Sequence, residues 1–169
     1  MYASGINPDA PQHTVAAARS QGYRAFKLKV GFGIERDAAN LRAVSEGLLP
    51  GEVLMVDANQ AWSWDEAAAM LPLLQAHGVG WLEEPLAADT PWPAWQALRA
   101  LLLPSSLWLA AGENIQCHMT FAAAIGSGAF AVLQPDLAKW GGISGTWPVI
   151  QRIRAAGLRY CPHYLGAGL

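Results

Sequence analysis

The chain has 169 residues, with 11 Lys+Arg against 13 Asp+Glu and a formal net charge of −2; hydrophobic residues make up 53% and charged residues 14%. Soluble proteins usually carry roughly 25% charged residues, so this chain can bury a large core and disorder is excluded as its main state. A nucleic-acid partner is not expected without a basic stripe, nor a membrane span without a run of roughly 18 apolar residues, and Met1-Tyr2-Ala3-Ser4-Gly5 has no signal-peptide pattern.

A cytoplasmic location follows as the expectation. Cys117 and Cys161 are too few for a disulfide scaffold and lack metal-site spacing.

In chain order, short apolar runs predict strands over 2–4, 25–30, 53–56, 80–82, 107–111, 129–133 and 158–161. Most are continuously apolar rather than alternating, the pattern of parallel strands covered on both faces. Between them, periodic or Ala-rich stretches predict helices over 14–21, 35–46, 63–76, 93–102, 119–125 and 144–156. The third opens on Ser63-Trp64-Asp65-Glu66, a capping-box pattern, and Pro72 inside it is expected to kink it or displace a hydrogen bond. Gly126 and Gly128 are expected to cut the 119–125 helix short. Strand then helix, repeated without a hairpin signal, predicts an α/β fold with a parallel sheet.

Polar residues follow the apolar runs at regular intervals. Asp57, Glu83, Glu113, Asp136 and His163 lie about 23 to 30 residues apart, one βα unit each. A full eight-unit barrel takes roughly 250 residues, so the expectation is an incomplete TIM-type (β/α) barrel of about seven units, with no internal domain boundary.

In a parallel barrel these strand ends form the rim where active sites are built. One strand-end acid is ordinarily an N-cap or a solvated loop residue. Asp57, Glu83 and Glu113 on successive units would repel one another unless a cation lay among them, and an oxygen-only donor set suits Mg²⁺. Glu84 is expected to point elsewhere. In Lys27-Leu28-Lys29 the two lysines share one face of a strand, and like charges at close quarters lower each other's pKa, the route by which an amine becomes a general base. Asp136 with His163 can form a dyad in which the acid orients the imidazole; His13, His77 and His118 read as structural. Lys139 can anchor a substrate or serve as a second catalytic amine, and Gly141-Gly142 before a helix can hold an anion through backbone N–H groups.

Taken together, Lys27-Leu28-Lys29, Val56-Asp57-Ala58-Asn59-Gln60, Leu82-Glu83-Glu84-Pro85, Gly112-Glu113-Asn114, Pro135-Asp136 with Lys139-Trp140-Gly141-Gly142, and Pro162-His163 resemble the enolase superfamily, in its mandelate racemase and muconate-lactonizing branch. The resemblance covers essentially the whole chain as the C-terminal barrel domain, and implies that the N-terminal capping domain and the closing strand are lacking. It implies Mg²⁺-dependent removal of a proton alpha to a carboxylate, with an enediolate intermediate. By match to the family motifs, Asp57, Glu83 and Glu113 are the metal ligands; Lys29, Asp136 and His163 are catalytic; Lys27, Asn59 and Lys139 contact substrate. The His–Asp pair implies an acid-sugar dehydratase (a lyase) or a 2-hydroxyacid racemase (an isomerase). The alternatives are a lysine–lysine cycloisomerase or dipeptide epimerase using Lys29 and Lys139, and a non-catalytic truncated remnant. The expected partner is a small-molecule carboxylate substrate, and the expected assembly a homo-oligomer.

Overall fold

A computed structural model describes residues 1–103 and 105–164. It contains strands β1 (Ala3–Ile6), β2 (Ala25–Lys29), β3 (Val53–Asp57), β4 (Trp81–Glu83), β5 (Trp108–Ala111), β6 (Val132–Leu133) and β7 (Arg159–Tyr160). Helices α1 (Pro11–Ser20), α2 (Ile34–Ser45), α3 (Trp64–Ala76), α4 (Trp92–Leu101), α5 (His118–Ser127) and α6 (Gly142–Ala155) alternate with them. The fold class is the expected one: α/β of the TIM-type (β/α)-barrel kind, with seven strands among the described residues where a full barrel has about eight. Two compact units can be distinguished, Met1–Ala87 with Ala100–Leu107, and Ala88–Arg99 with Trp108 onward.

In the first unit β1, β2, β3 and β4 pair in chain order, all parallel. The β2–β3 register sets Lys27 beside Met55 and Lys29 beside Asp57, and the β3–β4 register sets Asp57 beside Glu83. Lys29, Asp57 and Glu83 thus stand level at the C-terminal ends of three adjacent strands. Period-2 alternation explains which side chains go to the core: Phe26 and Leu28 are fully buried on one face of β2, and Lys27 and Lys29 lie on the other. Leu54, Val56, Leu82, Leu41 and Leu74 complete this core.

The loop leaving β2 is fixed by buried Asp37, which accepts hydrogen bonds from the backbone N–H groups of Gly31 (2.8 Å) and Phe32 (3.1 Å). Gly31 has φ 96°, and a Cβ there would fall 2.5 Å from that of Ala61, so no other residue fits. Helix α3 starts as the sequence predicts: Ser63 Oγ accepts from the Glu66 N–H, and Glu66 accepts from the Ser63 N–H at 2.8 Å. Ser63→Ala should cost about 1 kcal/mol, measurable by urea denaturation; an unchanged midpoint would show that the box contributes nothing. The helix runs continuously through Pro72.

A second tie is the Arg19–Glu52 fork, with Arg19 Nε and Nη2 each 2.7 Å from a Glu52 carboxylate oxygen. The guanidinium hydrogen bond, outweighing burial and aided by the Leu49 N–H, lowers the Glu52 pKa from 4.5 to about 2. The folded state therefore binds fewer protons than the unfolded chain between these values. The stabilisation is complete above the unfolded value of 4.5 and is lost as pH falls through about 2. Denaturation of the wild type beside Glu52→Gln should show a stability gap at neutral pH that closes in acid; a pH-independent gap would refute the linkage.

In the second unit β5 pairs with β6 and β6 with β7, again parallel. The last two strands are shorter than predicted, with two residues each. Backbone bonds from the Ala131 N–H to Leu109 O (3.0 Å) and from the Cys161 N–H to Leu133 O (3.2 Å) still extend the pairing beyond them. Helix α5 passes through Gly126 and ends at Gly128, which takes the left-handed conformation (φ 67°). Gly128 therefore terminates the helix as expected, whereas Gly126 does not. Its N-cap is Cys117, whose Sγ accepts from the Thr120 N–H at 3.4 Å.

Candidate active site

In the first unit the strand-end groups form one ionic cluster. Lys27 Nζ lies 2.6 Å from Glu83 Oε1 and 3.3 Å from Asp57 Oδ2, with all three side chains essentially buried. Lys29 Nζ donates to Asp57 Oδ2 (2.6 Å) and to Asn59 Oδ1 (2.6 Å), while the Asn59 N–H donates to Asp57 Oδ1 (2.9 Å). Both Asp57 oxygens are engaged.

The expectation that the lysines lower each other's pKa fails at Lys27. Burial does push its pKa down, but the charges of Glu83 and Asp57 and the hydrogen bond to Glu83 outweigh it and hold the ammonium above its ordinary value. Burial likewise raises the pKa of Asp57, and Lys27 and Lys29 more than reverse this, so it ends lowered. The physical reason at Lys27 is distance: it has carboxylates within hydrogen-bond reach, and an opposite charge in contact outweighs a like charge farther off.

The backbone at this end is strained. Asn59 (φ 46°), Gln60 (φ 65°) and Glu84 (φ 37°) are non-glycine residues in the left-handed region, which costs of order 1–3 kcal/mol each and is typical of functional sites. A bond from the Gln60 N–H to Glu84 O (2.7 Å) joins the two turns. Glu84 is itself buried. A charged residue directly after a strand-end acid gave no signal for that in the sequence.

In the second unit His163 is held from both sides: Nδ1 is 2.7 Å from Asp136 Oδ2 and Nε2 is 2.8 Å from Glu113 Oε2. The Asp136–His163 dyad is thus formed as a contact. The sequence reading missed the second contact, to Glu113, because residues 50 positions apart give no local pattern. Asp136 Oδ1 accepts from the N–H groups of Ala138 (2.7 Å) and Lys139 (3.0 Å), which aims the carboxylate. Lys139 Nζ donates to Glu113 Oε1 (2.9 Å) and to Asn114 Oδ1 (3.2 Å). Asn114 also went unassigned, although it stands in the Gly112-Glu113-Asn114 motif. Gly112 (φ 135°) is obligatory, since a Cβ there would lie 2.8 Å from the Gln134 backbone nitrogen.

These contacts set the charge states. The hydrogen bond to Glu113 raises the His163 pKa, burial opposes it, and Asp136 adds to the rise. Burial would raise Glu113, but His163 and Lys139 bring it down to about 2. Asp136, raised by burial, is lowered on balance by His163 and its two backbone donors. His163 therefore lies between two carboxylates that favour its charged form. Among the described residues no group of three His, Cys, Asp or Glu side chains is arranged to hold a metal ion; lysine or histidine nitrogens stand against Asp57, Glu83 and Glu113.

Parallel strands with acid–base groups at their C-terminal ends define a barrel-type enzyme scaffold. Residues 11–169 match the family model described as enolase C-terminal domain-like. Among curated relatives, the chain is 34% identical over 167 residues to L-galactonate dehydratase of Hypocrea jecorina, covering 98% of this chain and 37% of that protein. It is 32% identical over 155 residues to D-galactarolactone cycloisomerase of Agrobacterium fabrum, covering 92% and 40%. A solved mandelate racemase/muconate lactonizing enzyme from Bordetella bronchiseptica RB50 superposes with a TM-score of 0.93 at 50% identity, covering 99% of this chain and 46% of that one. Other relatives are named as a further cycloisomerase and a dipeptide epimerase, and some solved neighbours carry magnesium. The chain belongs to the enolase superfamily, in its mandelate racemase and muconate-lactonizing branch. It spans about two fifths of the length of the curated relatives it matches.

Proposed function

We propose that the chain is the barrel portion of a Mg²⁺-dependent enzyme that removes the proton alpha to a carboxylate, acting as an acid-sugar dehydratase or a 2-hydroxyacid racemase. The observation that carries this reading is the seat of His163. An imidazole fixed by Asp136 through Nδ1 holds Nε2 on a defined vector, in this structure against Glu113 Oε2 at 2.8 Å, a contact that the substrate would take over. Charged, it donates a proton to a departing β-hydroxyl; neutral, it accepts one from an α-carbon. Lys29 is the amine that takes the α-proton. Lys27 stands near the substrate carboxylate, and Asn59 and Lys139 hold substrate hydroxyls.

Asp57, Glu83 and Glu113 would hold Mg²⁺. The donor set fits: all are oxygen donors, all are buried, and in the first unit a single cation already bridges Asp57 and Glu83. Held there, Mg²⁺ would supply positive charge that acidifies the proton alpha to the carboxylate.

One observation favours a second reading. Lys139 Nζ reaches Glu113, where it can act as the second base of a lysine–lysine cycloisomerase or epimerase. Hydrogen–deuterium exchange at the α-carbon separates the two. Aldonic and aldaric acids, 2-hydroxyacids and dipeptides would be offered in deuterated water with Mg²⁺. Under the leading reading His163→Asn lowers turnover by about 10²–10⁴-fold, and Lys29→Ala loses exchange of one prochirality. Full activity in His163→Asn with loss in Lys139→Ala would transfer the assignment to the lysine pair.

A further inference from the structure

The N-terminal ends of β5, β6 and β7, opposite to the ends bearing Glu113, Asp136 and His163, surround a groove of about 370 Å³. That volume lies within the range of small-molecule sites, about 300–1,000 Å³. Its chemistry is one-sided. Arg99, from the end of α4, and Arg159, the first residue of β7, line it together with Trp108 and Phe130. Among the described residues no carboxylate lines it.

Arg99 Nη1 is buried without a hydrogen-bond partner, and so is Trp95 Nε1, one turn earlier on the same face of α4. Trp95 itself is only 2% exposed and packs on the groove wall, its ring centroid 5.1 Å from that of Phe130. A buried donor left unpaired costs about 1–3 kcal/mol, so two on one helix face beside a cationic groove mark a missing acceptor. The Arg159 guanidinium lies over the Trp108 ring at 4.5 Å. Stacking fixes its plane and leaves its N–H edge free for bidentate bonding to an oxyanion.

We infer that this groove is a binding site for a small carboxylate- or phosphate-bearing molecule. Arg159 and Arg99 clamp the anionic group, and the Trp108 and Phe130 rings receive the carbon skeleton. The inference needs none of the strand-end chemistry and stands apart from the proposed activity.

The test titrates the 169-residue chain, without added metal, with inorganic phosphate and separately with citrate, which distinguishes the two anion chemistries. In the wild type, the side-chain N–H signals of Arg99, Arg159, Trp95 and Trp108 should shift in NMR spectra with at least one of the probes. They should still do so in Lys29→Ala, which removes a competing amine at the other strand ends. Calorimetry of Arg99→Gln and Arg159→Gln should show affinity reduced by about tenfold or more, the loss expected for a charge-assisted bond. If a variant fails to fold, the wild-type signals decide alone. Absence of shifts with both probes, or binding unchanged in both folded arginine variants, would overturn the inference.

Discussion

Lys27→Met is expected to destabilise the first unit by about 3–5 kcal/mol, because it leaves carboxylates buried without their shared cation. Lys27 is 3% exposed and Glu83 and Asp57 are each 1% exposed, so water cannot take over the role of the ammonium. Asp57 keeps Lys29 at 2.6 Å; Glu83 loses the cation at 2.6 Å. Most of the penalty should therefore sit on Glu83, and the double variant Lys27→Met/Glu83→Gln should recover much of it. Against whole-domain stabilities of about 5–15 kcal/mol, the single variant should melt far below the wild type. Urea denaturation supplies the number. If Asp57 and Glu83 are ligands as proposed, millimolar Mg²⁺ should restore part of the loss in Lys27→Met. A loss under about 1 kcal/mol would mean that Glu83 reaches solvent and that the buried cluster is not a linked unit.

The same cluster shows how far the sequence could be read. Regular spacing of apolar runs and strand-end polar groups was enough to place the seven strands and six helices of the described residues, since parallel strands buried on both faces leave continuous apolar runs. The capping box at Ser63 was legible because its two partners lie three residues apart. Period-2 alternation put Lys27 and Lys29 on one face, which their shared contact with Asp57 Oδ2 bears out.

What the sequence did not carry is contact between groups far apart in the chain. Lys27 and Glu83 are 56 positions apart, so the charge that sets the state of Lys27 was invisible beside its near neighbour Lys29. Like-charge repulsion was the local inference, and long-range pairing reversed it. The same holds for His163: the dyad with Asp136 followed from adjacent strand ends, whereas the bond from Nε2 to Glu113 depends on tertiary placement. The left-handed conformations of Asn59, Gln60 and Glu84 were hidden for a further reason. None is a glycine, the residue that ordinarily announces such a backbone.

The remaining large effect concerns the metal. Mg²⁺ binding, followed by calorimetry, should weaken in Glu83→Gln by more than the roughly 10–100-fold that loss of an outer-sphere partner costs, because a charged donor is removed outright. Asp57→Asn should lose a comparable amount. Both carboxylates are held by ammonium groups in the structure, Glu83 by Lys27 and Asp57 by Lys27 and Lys29, so an arriving cation must share or displace these contacts. Binding should therefore tighten in Lys29→Ala, where one competitor for Asp57 is gone. Glu113→Gln tests the third ligand separately, since Lys139 and His163 are its partners. Losses in all three carboxylate variants would agree with one ion drawing on all of them. A loss in Asp57→Asn and Glu83→Gln but not in Glu113→Gln would remove Glu113 from the ligand set. Equal Mg²⁺ affinity in Glu83→Gln and wild type would end the assignment, and the lysine-bridged carboxylates of β3 and β4 would then be a structural ion-pair network that only resembles a metal site.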